Sequence, residues 1–369
     1  MKGYIFVLGR DFQLSILEII SYLQARKMQY KIKSFNKKAA LISLPDDTDI
    51  NKMMLYLGGT VKIARVLNSI NELVMPNKNK IYYSILEIDS KNGEKINAEL
   101  RKTFKKEKMK GYLKRSEDIG LSPSKFVKKN IFEEGFEIIL YGEIMAETIA
   151  VFDPREHEFR DNRPYLDKKK LTSIRLSKIL INLSQAKEHD TLLDPFCGSA
   201  TILQEALLMG INVIGMDTDS MSIYQANKNL NWLRNKYNFK SSFLLVNKAA
   251  QSSSGYIEKV DAVATEPYLG PYLKRLPSLN NAEKTAVELA RLYFDFLNDL
   301  KIILKKGKVA IVIPKFRTKE QAPVKIDLQE IAGGAGFKIY NPFPGIKIPV
   351  LYAPKGTKLD REIYILEKA

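Results

Sequence analysis

Cysteine is almost absent from this 369-residue chain, which holds only Cys197, and histidine occurs twice, as His157 and His189. One thiol forms no internal disulfide, and one thiol with two imidazoles cannot complete a four-ligand zinc site from this chain alone. A disulfide-stapled fold is therefore excluded and no metal site is expected. No run of 18 apolar residues occurs, and the apolar start Gly3-Tyr-Ile-Phe-Val-Leu8 is too short for a signal peptide. A soluble, cytoplasmic protein with no membrane partner is expected. Acidic residues are also scarce: 42 Asp and Glu face 59 Lys and Arg, a formal net charge of +17.

That excess is uneven. Residues 1–187 carry 35 basic against 23 acidic side chains, residues 188–369 carry 24 against 19, so the N-terminal half is the expected polyanion-binding half. A lysine-rich composition can be basic for compositional reasons alone, so the clustering matters more than the total. Between residues 101 and 129 there are 11 Lys or Arg. Arg101, Lys102, Lys105, Lys106, Lys110, Lys114, Arg115, Lys125, Lys128 and Lys129 are taken as candidate RNA contacts. The spacing of Lys102, Lys105, Lys106 and Lys110 places several ammonium groups along one helix face, which suits a phosphate backbone.

The most informative stretch is Thr191-Leu-Leu-Asp-Pro-Phe-Cys-Gly-Ser-Ala-Thr201, followed by an apolar helix to Gly210. It reads as a short strand, a tight turn from Asp194 to Gly198, and a helix capped by Ser199 or Thr201. A helix start presents unpaired N–H groups and a partial positive charge, and glycine lets the backbone approach a ligand. The next strand, Asn212 to Asp217, ends on an acid, about where a carboxylate takes ribose hydroxyls. Neither Gly-x-Gly-x-x-Gly nor a Gly-Lys-Ser/Thr P-loop is present, which points away from NAD and ATP.

From Thr191 onward strands and helices alternate, which implies a doubly wound, mainly parallel α/β sheet with ligands at the carboxyl ends of its strands. Asp194, Phe196, Gly198, Ala200, Asp217 and Asn247 are the candidate cofactor contacts, Asn247 through its side-chain amide. Asp219 suits a helix cap better than a ligand, and Cys197 suits packing better than nucleophilic work. The fourth strand runs into Glu266-Pro-Tyr-Leu-Gly-Pro271. An exocyclic amine on a base is a poor nucleophile because its lone pair is delocalised. An acceptor for its hydrogens and a stacked ring that aims it are what methylation there requires. Glu266, Pro267 and Tyr268 are the candidate catalytic residues.

Asp194 to Thr201 closely resembles the Asp-Pro-Phe-Cys-Gly-Thr/Ser-Gly/Ala corner of S-adenosylmethionine-dependent methyltransferases that act on nucleic acids. Residues 76–155, with Ser124 to Asn130, are similar to the THUMP region of tRNA-modifying enzymes. Arg160, Asp161, Arg163 and Pro164 resemble the segment that leads into the first helix of THUMP-linked methyltransferases. Tyr352 to Leu366 resembles the end of the tRNA guanosine-N2 methyltransferases that act on guanosine 10. Amino-methyltransferases that act on exocyclic nitrogens of bases carry Asp/Asn-Pro-Pro-Tyr/Phe where this chain has Glu266-Pro267-Tyr268. Aligned from the strand, Glu266 falls on the family's acid; aligned on Pro-Tyr, the acid shifts by one place.

The resemblance implies a class I, Rossmann-like methyltransferase domain (171–369) behind a linker (156–170) and a THUMP-type RNA-binding domain (76–155). Residues 1–75 are expected to form an N-terminal ferredoxin-like domain from the β-α-β-β-α-β order of their own pattern. The resemblance also implies S-adenosyl-L-methionine as cofactor, tRNA as partner, and a small zinc-bearing activator protein as a further partner that some relatives use. The implied activity is methyl transfer to N2 of a tRNA guanosine, most favourably position 10. A DNA or rRNA amino-methyltransferase, and an RNA-binding protein with a non-catalytic methyltransferase-like domain, stand as alternatives.

Overall fold

The computed structural model describes residues 1–114, 135–166, 172–353 and 357–369. The chain divides into two compact units, residues 1–16 with 27–160 and residues 17–26 with 161–369.

The first unit is built on one eight-stranded sheet in the order β2-β3-β1-β4-β8-β7-β5-β6. Its strands are β1 Lys2–Leu8, β2 Lys31–Phe35, β3 Ala39–Leu44, β4 Thr60–Leu67, β5 Lys80–Ile88, β6 Lys110–Leu113, β7 Gly135–Tyr141 and β8 Ile144–Val151. Helix α1 (Phe12–Ala25), of which residues 17–25 belong to the second unit, follows β1, and α2 (Ile50–Tyr56), capped by the Asp49 side chain on the Lys52 N–H, follows β3. With β1 antiparallel to β3 and β4, the first four strands follow the expected β-α-β-β-α-β order. The boundary expected near residue 76 falls between β4 and β5, and both strands lie in this same sheet.

Helix α3 (Gly93–Lys106) buries Leu100 and Phe104 and leaves its lysines in water, as the sequence pattern requires. Phe104 meets Tyr83 at 5.1 Å between ring centroids, and Phe136 closes the aromatic trio. Residues 156–160, at the start of the expected linker, lie in a helix, α4 (Pro154–Arg160). His157 is half-buried and packs edge-on against Phe152 at 4.5 Å between ring centroids.

The second unit carries a nine-stranded sheet. Its central order is β11-β10-β9-β12-β13-β17-β15, from β9 Thr191–Asp194, β10 Asn212–Met216, β11 Phe243–Val246, β12 Ala262–Thr265, β13 Val309–Phe316, β15 Phe337–Ile339 and β17 Leu359–Lys368. β9 to β13 are parallel, and β17 inserts antiparallel beside β13. Two short strands that the sequence pattern does not show, β14 (Val324–Lys325) and β16 (Val350–Tyr352), pair with β13 and β17. The strand order reverses between β9 and β12, which opens a crevice at their carboxyl ends. This is the α/β architecture of class I methyltransferases.

Helices α5 (Ile174–Leu183), α6 (Thr201–Leu208), α7 (Ser220–Lys236), α8 (Leu279–Ile303) and α9 (Leu328–Gly334) flank the sheet. In α8, Ala282, Ala286, Leu289, Tyr293, Phe296, Leu297, Leu300 and Ile303 recur every three or four residues and are all buried. Each large apolar side chain so buried contributes about 1.5–3 kcal/mol. Ser278 caps this helix through the Asn281 N–H. The site is thus carried on rigid strand ends.

Candidate active site

The bend after β9 is held from both sides. Oδ1 of Asp194 accepts the Phe196 N–H at 3.2 Å and the Thr265 hydroxyl at 2.7 Å, tying the end of β9 to the end of β12. The Asp194 side chain is buried, and that burial raises its carboxyl pKa to about 7. Asp194 therefore stands inside the bend as its anchor. Cys197 is buried as expected, with its thiol pushed up by burial, and its N–H bonds the Met216 carbonyl at 2.8 Å.

The helix cap expected at Ser199 or Thr201 falls instead on Ala200, at φ 72° in the left-handed region, with no side-chain cap hydrogen bond. The tight turn that closes with the Ala200 N–H on the Cys197 carbonyl at 2.8 Å sets this position. Gly198 has φ +49°, and a Cβ there would meet nothing within 4 Å, so the backbone lies open to a ligand. Phe196, half-buried, stands edge-on to Phe296 at 5.6 Å.

Asp217 reaches back to this bend. Its Oδ2 accepts the Gly198 N–H at 3.0 Å and its Oδ1 accepts the Asp219 N–H at 2.9 Å, so one carboxylate bridges both bends. Each oxygen keeps a further lone pair for a hydroxyl. Asp219 caps α7 through the Met221 N–H, as its spacing predicts. The Asn247 amide nitrogen donates to the Asp217 and Thr218 carbonyls at 2.9 and 3.0 Å, which leaves its oxygen as the outward group.

The Glu266-Pro267-Tyr268 segment lies at the end of β12, the neighbour of β9 in the sheet. Glu266 has a side chain only 9% exposed. Its Oε1 accepts from Arg361 Nε at 2.5 Å and its Oε2 from the Thr172 hydroxyl at 2.5 Å. Pro267 is buried and Tyr268 is 55% exposed, free to offer a ring face. The Tyr268 carbonyl accepts the Tyr293 hydroxyl at 2.8 Å, which fixes the segment from below.

Several of these partners lie beyond sequence reasoning. Thr172, Thr265, Tyr293 and Arg361 carry no local signature, and only Arg361 lies within a stretch marked by resemblance. Asn229 is another: its side chain bonds both the N–H and C=O of Tyr165 and the Ser199 carbonyl, tying the segment after Pro164 to the bend. Arg163, in the Arg160-to-Pro164 segment, donates to the Thr201 hydroxyl at 2.8 Å. Among the described residues no group of three or more His, Cys, Asp or Glu side chains could hold a metal ion.

The basic candidates belong to the first unit. Arg101, Lys102, Lys105, Lys106 and Lys110 are exposed, and Lys114 is half-buried with its ammonium 4.7 Å from the centre of the Tyr82 ring. Tyr82 in turn lies 5.6 Å from Tyr112. Arg115, Lys125, Lys128 and Lys129 lie outside the described residues.

A DNA methylase family model matches residues 18–228, more than half of the chain, and an RMKL-like methyltransferase-domain model matches residues 160–331. The chain belongs to the DNA methylase family, whose model covers residues 18–228. Over 135 residues, 37% of the chain, it is 33% identical to the tRNA (guanine(10)-N2)-dimethyltransferase of Methanothermobacter thermautotrophicus, of which it covers 36%. It is 32% identical over 142 residues, 36% of its own length, to the protein of the same name from Methanocaldococcus jannaschii, covering 39% of it. The match thus spans well under half the length of these two curated relatives. The crystal structure of TrmN from Thermus thermophilus, 15% identical, superposes over all of both chains with a TM-score of 0.50, which shows a shared fold. The resemblance to tRNA guanosine-N2 methyltransferases drawn from the motifs is borne out by these relatives. No described helix of the chain is long and apolar enough to cross a membrane.

Proposed function

We propose that this chain transfers a methyl group from S-adenosylmethionine to the exocyclic N2 of a guanosine in tRNA, with position 10 the favoured site. The observation that carries this reading is the adjacency of two stretches at neighbouring strand ends. Thr265, bonded to Asp194 at the base of the bend, is followed directly by Glu266. The residues of the bend fit the cofactor: the open backbone at Gly198 admits a close approach, and the Asp217 carboxylate has acceptor capacity for ribose hydroxyls. Bound there, S-adenosylmethionine supplies an electrophilic methyl group.

Glu266 accepts a hydrogen of the target amine, which localises the nitrogen lone pair, and the exposed Tyr268 ring stacks on the base. Orientation of a weak nucleophile supplies most of the acceleration. The exposed lysines of α3 and β6 hold the phosphate backbone, so that residues 76–155 act as the RNA-binding module. A guanine inside a stack cannot reach this crevice and has to be turned out of it.

The test is incubation of the pure protein with labelled S-adenosylmethionine and, separately, bulk tRNA, rRNA and DNA, with nucleosides analysed by mass. N2-methylated guanosine from tRNA is the expected product. Label in DNA or rRNA alone would replace the proposed substrate. Cofactor binding without transfer to any nucleic acid would leave an RNA-binding role, and restoration of transfer by a zinc-bearing activator would add that partner.

A further inference from the structure

The acid at the end of β12 is one methylene longer than the aspartate or asparagine its resemblance leads one to expect. An extra rotatable bond gives the carboxylate a wider sweep and more rotamer freedom to lose. Left alone, it is a poor template for an amine that must be aimed within fractions of an ångström. The structure supplies what the shorter side chain would have had by itself. One Glu266 oxygen is held by Arg361 Nε and the other by the Thr172 hydroxyl, both at 2.5 Å, from residues 95 and 94 positions away.

The two holders stand on firm supports. Arg361 sits on β17 opposite Pro314 of β13 and Tyr352 of β16, within a strand paired on both sides. Thr172 directly precedes Ser173, the cap of α5. The planar donors of a guanidinium fix direction as well as charge. Each carboxylate oxygen uses one lone pair on its holder and retains another for the substrate.

We propose that Arg361 and Thr172 are positioning residues that lock the Glu266 carboxylate in the orientation in which it receives the target amine. The inference rests on the methyl-transfer reading above. It assigns the C-terminal strand a part in the acceptor site that the motifs alone do not reveal.

The test compares R361A, R361K and T172V with the wild type on bulk tRNA, reading kcat, KM for tRNA and the Kd of S-adenosylmethionine. R361A is expected to lose about 10²-fold in kcat, the scale of a misplaced reacting group, with cofactor Kd unchanged. T172V, close in shape but without the donor, is expected to lose less, in kcat again. R361K, which keeps the charge without the planar fork, is expected to recover part of the loss. Full kcat in both R361A and T172V overturns the proposal, as does a loss matched by an equal loss of cofactor affinity. T172V keeps the test decisive should R361A misfold. If the wild type methylates a different nucleic acid, the same comparison is run on that substrate. A wild type that methylates nothing removes the functional reading and this inference together, whereas an active wild type with unaffected variants removes the inference alone.

Discussion

The Thr265 hydroxyl donates to Asp194 Oδ1 at 2.7 Å across 71 residues of chain, joining the bend after β9 to the strand that carries Glu266. The accepting carboxyl is buried, with its pKa raised from 3.8 to about 7 mainly by desolvation. Below pH about 4 both folded and unfolded chains hold this proton. Between about 4 and 7 the folded chain holds it and the unfolded chain releases it, so this contribution to stability falls as pH rises through that window. A rise of that size corresponds to about 4 kcal/mol. D194N keeps an oxygen acceptor for Thr265 and the Phe196 N–H without a titrating group. The difference in Tm, variant minus wild type, is expected to grow from pH 4 to pH 8 in thermal melts; parallel curves would refute it.

Two glycines near the bend separate binding from folding. A Cβ at Gly198 meets nothing within 4 Å, so G198A costs only the strain of φ +49°, about 1 kcal/mol, together with the close approach a ligand needs. Calorimetry should find weaker S-adenosylmethionine binding with little change in Tm. At Gly215 a Cβ would lie 2.4 Å from Leu203 Cδ1, 2.9 Å from Leu245 Cδ2 and 3.0 Å from Cys197 Sγ. G215A should instead lower stability by about 1–3 kcal/mol, read in denaturant melts.

Removal of the acceptor is the sharpest test of the chemistry. E266A should lower methyl transfer by at least about 10²-fold while the cofactor Kd stays near the wild-type value. An active variant would withdraw the role assigned to Glu266.

The lysine face of α3 should act on RNA affinity alone. K102A/K105A/K106A should raise KM for tRNA, leave kcat at saturation unchanged, and reduce the slope of log affinity against log salt by about 2 to 3. Filter binding across a salt series measures it, and an unchanged slope would place the phosphate contacts elsewhere.

The Tyr293 hydroxyl, whose pKa burial pushes up, serves as a donor to the Tyr268 carbonyl. Y293F removes that bond from a buried position and should cost about 1 kcal/mol of stability, with a fall in kcat as the Tyr268 segment loosens.

By itself the sequence determined the features that short-range physics writes into neighbouring residues. The Asp194-to-Gly198 bend, the acid after β10, the Asp219 cap, the apolar period of α8 and the solvated lysines of α3 are legible because turns, caps and helix faces are local. The alternation of strands and helices is enough for the α/β class. The cap of α6 escapes such reasoning because the closure of the bend, rather than helix-capping chemistry, decides which residue occupies that place.

Only the tertiary structure decided which side chains meet. Arg361 and Thr172 hold Glu266, Asn229 ties Tyr165 to Ser199, and the Asn247 amide turns inward to the loop after β10. A hydrogen bond between residues some 90 positions apart leaves no periodicity in either stretch. It exists because parallel strands, paired in an order unrelated to their order in the chain, bring their carboxyl ends to one crevice.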